Sequence, residues 1–187
     1  GVIGESYFAD NYAFMLGLGF GFNHGGTLLS KYDSIAPWPN SDLAVNGTFP
    51  LDSRFRYSLT YVEIPFGLRF RGGTSEDSRI KFYAEAPVFT LGFRTKASGD
   101  VRGNAPNPTE DENIKKDVNG LSLSWGVGAG IEYELAPNAN VVAGLAFQQQ
   151  FTDMTGDDSQ VLRNSTWKAD ESKGAFNAIS LRLAFFF

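Results

Sequence analysis

Large apolar residues recur at every second position over several stretches of the chain. The clearest case is Leu121 to Leu135, where Leu121, Leu123, Trp125, Val127, Ala129, Ile131, Tyr133 and Leu135 alternate with Ser122, Ser124, Gly126, Gly128, Gly130, Glu132 and Glu134. A helix, with its period of 3.6, would not sort residues this way; a strand with two different faces does. Tyr12 to Phe22 repeats the pattern, with Tyr12, Phe14, Leu16, Leu18, Phe20 and Phe22 opposite Ala13, Met15, Gly17, Gly19 and Gly21. Val141 to Phe151 sets Val141, Ala143, Leu145, Phe147 and Phe151 against Val142, Gly144, Ala146, Gln148 and Gln150. The final strand sets Ile179, Leu181, Leu183, Phe185 and Phe187 against Ala178, Ser180, Arg182, Ala184 and Phe186.

Two further strands are predicted over Tyr57 to Phe70 and Ile80 to Arg94. In the first, Val62, Ile64, Phe66, Leu68 and Phe70 oppose Glu63, Pro65, Gly67 and Arg69. In the second, Phe82, Ala84, Ala86 and Val88 oppose Lys81, Tyr83 and Glu85, and beyond Pro87 the large residues change parity to Phe89, Leu91 and Phe93. Proline cannot donate to a ladder, so a bulge is expected near Pro87. A shorter piece, Val2 to Phe8, reads as the tail of another strand, followed by a tight turn at Asp10-Asn11.

The second face decides what the first one meets. In a soluble barrel the apolar face lines the inside, and the other face carries Lys, Glu, Thr and Gln for water. Here that other face is mostly Gly, Ala and Ser, a poor water-facing exterior and a poor strand former but a good fit to a crowded barrel interior. The large apolar face therefore points outward, and an outward Phe, Leu and Trp surface needs lipid. Backbone groups in lipid must be paired internally, as a closed barrel pairs them. No apolar run approaches the roughly 18 residues of a transmembrane helix, and the mean hydropathy of −0.19 is no objection, because only every second strand residue of such a barrel must be apolar.

The connections alternate in length: Ala9 to Asn11 short, Asn23 to Arg54 long, Arg71 to Arg79 fairly short, Thr95 to Gly120 long, Ala136 to Asn140 short, Met154 to Ala175 long. Short periplasmic turns and long outer loops follow that alternation, with the C-terminus on the periplasmic side. Six strands and the stub make seven, whereas single-chain bacterial barrels have an even number. The expectation is an all-β, antiparallel, eight-stranded transmembrane barrel, a single domain over 1–187, with the first strand and part of the second missing at the N-terminus. No signal-peptide pattern opens the sequence; export requires one, so a processed or trimmed form is expected.

Composition narrows the function. There is no Cys, which removes disulfide scaffolds, thiolate metal sites and Cys nucleophiles. A net charge of −5 without a basic stripe removes a nucleic-acid partner. An eight-stranded interior is filled by side chains, and Glu63, Arg69, Glu85, Glu132, Glu134 and Arg182 are predicted to face it as a paired polar network. The long loop from Asn23 to Arg54 holds Pro37-Trp38-Pro39, Leu43, Val45 and Phe49, residues expected to pack on the barrel mouth or on a partner.

These residues also carry a resemblance. Tyr61-Val62-Glu63-Ile64-Pro65-Phe66-Gly67-Leu68-Arg69-Phe70 resembles the tyrosine-valine-glutamate-isoleucine-proline strand of the PorT-like outer-membrane barrels of Bacteroidota. Phe8-Ala9-Asp10-Asn11-Tyr12-Ala13 is similar to that family's turn into its third strand, and Gly126-Val127-Gly128-Ala129-Gly130-Ile131-Glu132-Tyr133 to its glycine-rich strand. The terminal Phe187, with Phe185 on the same face, is similar to the signal read by barrel-assembly machinery. The resemblance spans nearly the whole chain except for the absent first strand. It implies an eight-stranded outer-membrane barrel, in contact with lipid and lipopolysaccharide, of a family whose founding member is linked to type IX secretion and gliding. Fold resemblance by itself does not transfer that role.

Three functions remain open at this level: a non-enzymatic subunit or accessory of an envelope assembly or secretion complex, a small porin, or an outer-membrane lipid enzyme centred on His24, the single histidine, with Ser30, Asp33 and Ser34 nearby in sequence. The enzyme would need nucleophile, base and orienter to converge; the non-enzymatic reading is the expectation. The acidic stretches Glu110-Asp111-Glu112 and Asp153 to Asp158 offer oxygen ligands for Ca²⁺ without the EF-hand spacing, and solvated loops account for them equally well. Asp33-Ser34-Ile35 resembles a Bacteroidota O-glycosylation pattern; Asn46-Gly47-Thr48 and Asn164-Ser165-Thr166 fit the N-glycan sequon, a chemistry mainly of eukaryotic secretion. No metal or cofactor is expected.

Overall fold

The computed structural model describes residues 1–29, 34–35, 38, 40, 48–49, 52–73, 79–103, 108–137, 139–156, 160–163, 165–169 and 173–187. In chain order the strands are β1 (Val2–Ala9), β2 (Tyr12–Leu29), β3 (Ser34–Ile35), β4 (Thr48–Phe49), β5 (Ser53–Gly73), β6 (Ile80–Gly103), β7 (Thr109–Asn113), β8 (Leu121–Ala136), β9 (Ala139–Gln150), β10 (Gln160–Arg163), β11 (Thr166–Ala169) and β12 (Asn177–Phe186). No helix occurs among the described residues. The main sheet runs β1-β2-β5-β6-β8-β9-β12, with β7 added beside β6, and every pairing in it is antiparallel. Among the described residues no ladder joins β12 to β1.

Each stretch with period-2 alternation is a strand of this sheet, and the faces sort by side-chain size. Tyr12, Phe14, Leu16, Leu18, Phe20 and Phe22 are all exposed, while Ala13 and Met15 are buried. Leu121, Trp125, Val127, Ile131, Tyr133 and Leu135 are exposed on β8, and Ile179, Leu181, Leu183, Phe185 and Phe187 at the C-terminal end. A continuous exposed apolar surface of this extent needs a lipid solvent.

The bulge expected near Pro87 is present: the β6–β8 register shifts between Glu85 and Val88, and the β5–β6 register between Gly67 and Arg69. It lets Phe82 and Phe89 both face outward while Tyr83, Glu85 and Val88 face in. A Cβ on Gly67 would lie 2.9 Å from the Val88 Cα, so glycine permits the close approach.

The long connections differ from their sequence expectation. Instead of loops from Asn23 and Thr95, β2 continues to Leu29, β5 begins at Ser53 and β6 runs on to Gly103. The physical reason is visible along β5. From Val62 to Phe70 the outward row is apolar; before it, the same row reads Arg54, Arg56, Ser58, Thr60, and the inward row becomes Phe55, Tyr57, Leu59, Tyr61. The parity is unchanged and the chemistry inverts, as it should where a strand leaves lipid and must be wetted outside and apolar inside.

That inward row builds a second core at the wide-loop end of the barrel. Trp38, Phe55, Leu59, Tyr61, Ala97, Val101, Ile114, Val118 and Met154 form one buried cluster, with Tyr57 and Phe176 packed against it. Trp38 stands edge-on to Phe55 and Tyr57, at 6.0 and 5.4 Å between ring centroids. It lies so close to β6 that a Cβ on Gly99 would meet its ring atoms at 2.6 and 2.7 Å. Asn40 ties the same segment to Asp117 Oδ1 through its backbone N–H (2.9 Å) and its side-chain amide (3.2 Å). Trp38 of the long loop thus packs on the barrel mouth; Pro37, Pro39, Leu43 and Val45 lie outside the described residues, as does the side chain of Phe49. Beyond this core, β11-β10-β3-β4 form a four-stranded sheet that joins two different connections.

Candidate functional site

The interior at the short-turn end holds a connected set of charges. The guanidinium of Arg69 on β5 donates from Nε to Glu85 Oε1 at 3.1 Å and pairs through Nη1 with Glu5 of β1. The second oxygen of Glu85 pairs with Arg182 of β12. Arg71 pairs with Glu5 at 3.2 Å and with Glu132 at 2.7 Å. Asn140 donates to the other Glu132 oxygen at 2.6 Å, and the Tyr7 hydroxyl to Glu5 at 2.8 Å. Three arginines and three glutamates balance formally, and the most enclosed members, Glu85, Glu132 and Arg69, are 1%, 2% and 3% exposed. Arg69 also lies over the Tyr83 ring at 4.5 Å and the Phe186 ring at 5.2 Å, contacts that suit a desolvated guanidinium.

On the inner face Tyr83 leans over the glycines of β8 and β9, the two strands next along the sheet from its own. A Cβ on Gly130 would lie 2.7 Å from Tyr83 Cε1, and one on Gly144 would lie 3.0 Å from Tyr83 Cζ. Gly130 and Gly144 are cross-strand partners. The small inner faces of these two strands are therefore complementary to one large ring, and the space is filled.

Of the residues predicted to form the interior network, Arg69, Glu85, Glu132 and Arg182 stand in it. Glu63 is inside the barrel but nearer the outer core, beside His24. Glu134 stands apart, half-buried, with no ion pair among the described residues. Glu5 and Arg71 join the network without having been expected there, because periodicity places one in a stub and the other in a turn. The signal for both is present, since Glu5 continues the inward row of β1, opposite Met15, and Arg71 that of β5 after Arg69. Phe185 and Phe187 lie on the exposed apolar row of the C-terminal end.

His24 owes its position to a register shift. Between Gly21 and His24 the β2–β5 ladder slips, and Asn23 takes a left-handed φ of 56°, which turns His24 inward. Its Nε2 stands 3.5 Å from Glu63 Oε1, its ring packs edge-on against Phe176 at 4.7 Å, and Tyr61 lies 5.5 Å away. An imidazole beside a carboxylate supplies a base and an orienter, two members of a nucleophile–base–orienter set. Ser30 and Asp33 are outside the described residues, as is the side chain of Ser34.

The acidic stretches are engaged locally. Glu110 pairs with Arg102 at 2.8 Å and Asp111 with Lys96 at 3.4 Å. Asp153 Oδ1 accepts from the Thr155 N–H, the Thr155 hydroxyl and the Gly174 N–H at 2.9, 2.7 and 2.9 Å. Burial disfavours the Asp153 carboxylate, but these donors and the nearby Lys173 outweigh it and hold its pKa below the ordinary value. Among the described residues no group of three His, Asp or Glu side chains is placed to hold a metal. Asp157, Asp158, Asn46, Gly47 and Asn164 lie outside the described residues.

A family model described as an outer membrane protein beta-barrel domain matches residues 1–181. Neither the curated proteins nor the solved structures include a match to this chain.

Proposed function

The chain belongs to the outer membrane protein beta-barrel domain family, and from that premise we propose that it acts as a non-enzymatic subunit or accessory of an envelope protein assembly or secretion complex, of the PorT-like, type IX secretion kind found in Bacteroidota. The observation that carries this reading is the filled interior. A balanced six-charge network occupies one end, the Tyr83 ring packs beside it against Gly130 and Gly144, and an apolar core occupies the other end. Such an interior favours a scaffold over a conduit, and it leaves the outer face and the large connections as the surfaces for contact. In this reading the long connections are extracellular, the C-terminus is periplasmic, barrel-assembly machinery inserts the chain, and lipid and lipopolysaccharide surround it.

The test is purification from outer membrane in mild detergent, with mass spectrometry of co-migrating proteins. A stoichiometric larger complex is the expected result; a lone barrel would refute the tight-subunit reading. Two alternatives make opposite predictions. A small porin would give steady conductance in a planar bilayer, where this reading expects none. A lipid enzyme using His24 would lose its effect on lipid A or phospholipid profiles in His24→Ala, where this reading expects unchanged profiles.

A further inference from the structure

Charges are unevenly placed where the outer wall leaves the apolar belt at the long-connection end. The outward residue next to that belt is Asn23 on β2, Thr60 on β5 and Asn177 on β12, all uncharged. On β6 it is Lys96. The β5–β6 register shifts between Thr60 and Tyr61, with Thr60 opposite Lys96 and Tyr61 opposite Arg94, so Lys96 follows Phe93 in the outward row. A tight turn beside it adds two more lysines. The Ile114 N–H donates to the Ala97 carbonyl at 3.2 Å and the Asp117 N–H to the Ile114 carbonyl at 3.0 Å. Ile114 and Asp117 are buried, which pins the turn at both ends and leaves its central residues, Lys115 and Lys116, exposed. Three lysines therefore stand together at one height, on a protein whose net charge is −5.

The carboxylates around them are engaged. Asp111 lies 3.4 Å from Lys96, Glu110 pairs with Arg102, and Asp100 with Arg56 and Arg102. Asp117 accepts from Asn40, Glu112 is buried, and Asp153 accepts from Thr155 and Gly174. Lys115 and Lys116 have no ion pair among the described residues. Directly below, Phe93 and Leu121 are cross-strand partners, as are Phe89 and Trp125, and all four are exposed. A surface for acyl chains thus continues into a surface for anions. The heights match. Lys96 lies three residues past Phe93, about 10 Å along the strand and about 7 Å along the membrane normal at the usual tilt. The headgroup layer is about 5–8 Å deep.

We propose that Lys96, Lys115 and Lys116 bind the phosphates of lipopolysaccharide, whose acyl chains lie on Phe93, Leu121, Phe89 and Trp125. Lysine is a compact point charge suited to phosphate, and the pinned turn presents two such charges without an ordering cost. The inference rests on the orientation stated above, with the long connections extracellular, and is independent of any partner complex. It assigns one sector of a circumference that lipid otherwise surrounds uniformly.

The test measures binding of lipid A to the protein purified from outer membrane in mild detergent. A lysine near an anionic lipid surface contributes about fivefold in affinity. Lys96→Gln with Lys115→Gln and Lys116→Gln should therefore bind about 100-fold more weakly, whereas the three matching arginine substitutions should bind normally. Lipid A stripped of its phosphates should bind the native protein as weakly as the glutamine variant does, and millimolar inorganic phosphate should not displace intact lipid A. Arg79→Gln with Lys81→Gln and Lys168→Gln removes the same charge elsewhere and should leave binding intact. Undiminished binding by the glutamine variant or of stripped lipid A, an equal loss in the control variant, or displacement by inorganic phosphate would each overturn the proposal. A heat-dependent gel shift on every variant reports folding. The chain has no cysteine, so Lys116→Cys tests the orientation separately. An impermeant maleimide should label it on intact cells. Labelling only after lysis would overturn the orientation and this site with it, while labelling with unchanged lipid binding in the glutamine variant would overturn the site alone.

Discussion

Replacing Arg69 by Met keeps the volume of the side chain and removes its charge. Arg69 is 3% exposed and pairs with Glu5 and Glu85. Its loss leaves Glu85 with Arg182 alone and leaves Glu5 sharing Arg71 with Glu132, so the interior holds three carboxylates against two guanidiniums. Breaking a buried pair by removing one partner costs about 3–5 kcal/mol, mostly because a charge is left uncompensated. The lost contacts with the Tyr83 and Phe186 rings add roughly 0.5–2 kcal/mol. The lower bound alone changes the folded-to-unfolded ratio by about two orders of magnitude.

Charge balance, not the bond count, is the claim, and a double variant separates the two. In Arg69→Met with Glu5→Gln, Glu85 keeps Arg182 and Glu132 keeps Arg71, so every remaining carboxylate retains one arginine. The double variant should be more stable than Arg69→Met alone, although it removes more hydrogen bonds. Reversible urea unfolding in lipid vesicles, followed by the emission of the three tryptophans, gives each free energy. A double variant whose loss equals the sum of the two single losses would refute the reasoning.

The interlock of Tyr83 with Gly144 predicts that Gly144→Ala destabilises by about 1–3 kcal/mol, the usual cost of overpacking, and that adding Tyr83→Phe recovers part of it in the same unfolding assay. Trp38→Ala should open the outer core, with a local loss of about 3–5 kcal/mol. Limited proteolysis should then cut the long connections faster while the heat-dependent gel shift of the barrel persists. Asp153 has a depressed pKa in the folded state, so its contribution is present above the unfolded carboxylate value of about 3.9 and is lost as pH falls through the lower folded value. Proteolysis of the Met154–Gly174 region should therefore accelerate on acidification through that window, and Asp153→Asn should remove the pH dependence.

How far the sequence discloses this molecule depends on the solvent each residue meets. Where lipid lies outside, as along Tyr12 to Phe22, the contrast between Phe or Leu and Gly or Ala is large, and period-2 reading finds the strand and its facing together. Along Ser53 to Tyr61 the alternation is equally regular, but the large residues now point inward and Arg54 and Arg56 outward; the outward apolar row stops at Val62, and the expected strand accordingly begins only at Tyr57, with the loop carried as far as Arg54, whereas β5 in fact begins at Ser53. The same limit hid part of the charge network. Arg69 and Glu85 sit opposite lipid-facing Phe and Leu and are read as inward charges, whereas Arg71 and Glu5 lie near strand ends, where flanking turn residues mask the alternation. What periodicity cannot contain is the link between strands distant in sequence. That Arg182 meets Glu85, 97 residues away, or that His24 meets Glu63, depends on curvature and on single-residue slips such as the one at Asn23. Each slip reverses the facing of the residues beyond it, so the chemistry of the interior is set by a few bulges while the strands that carry it are set by the solvent outside.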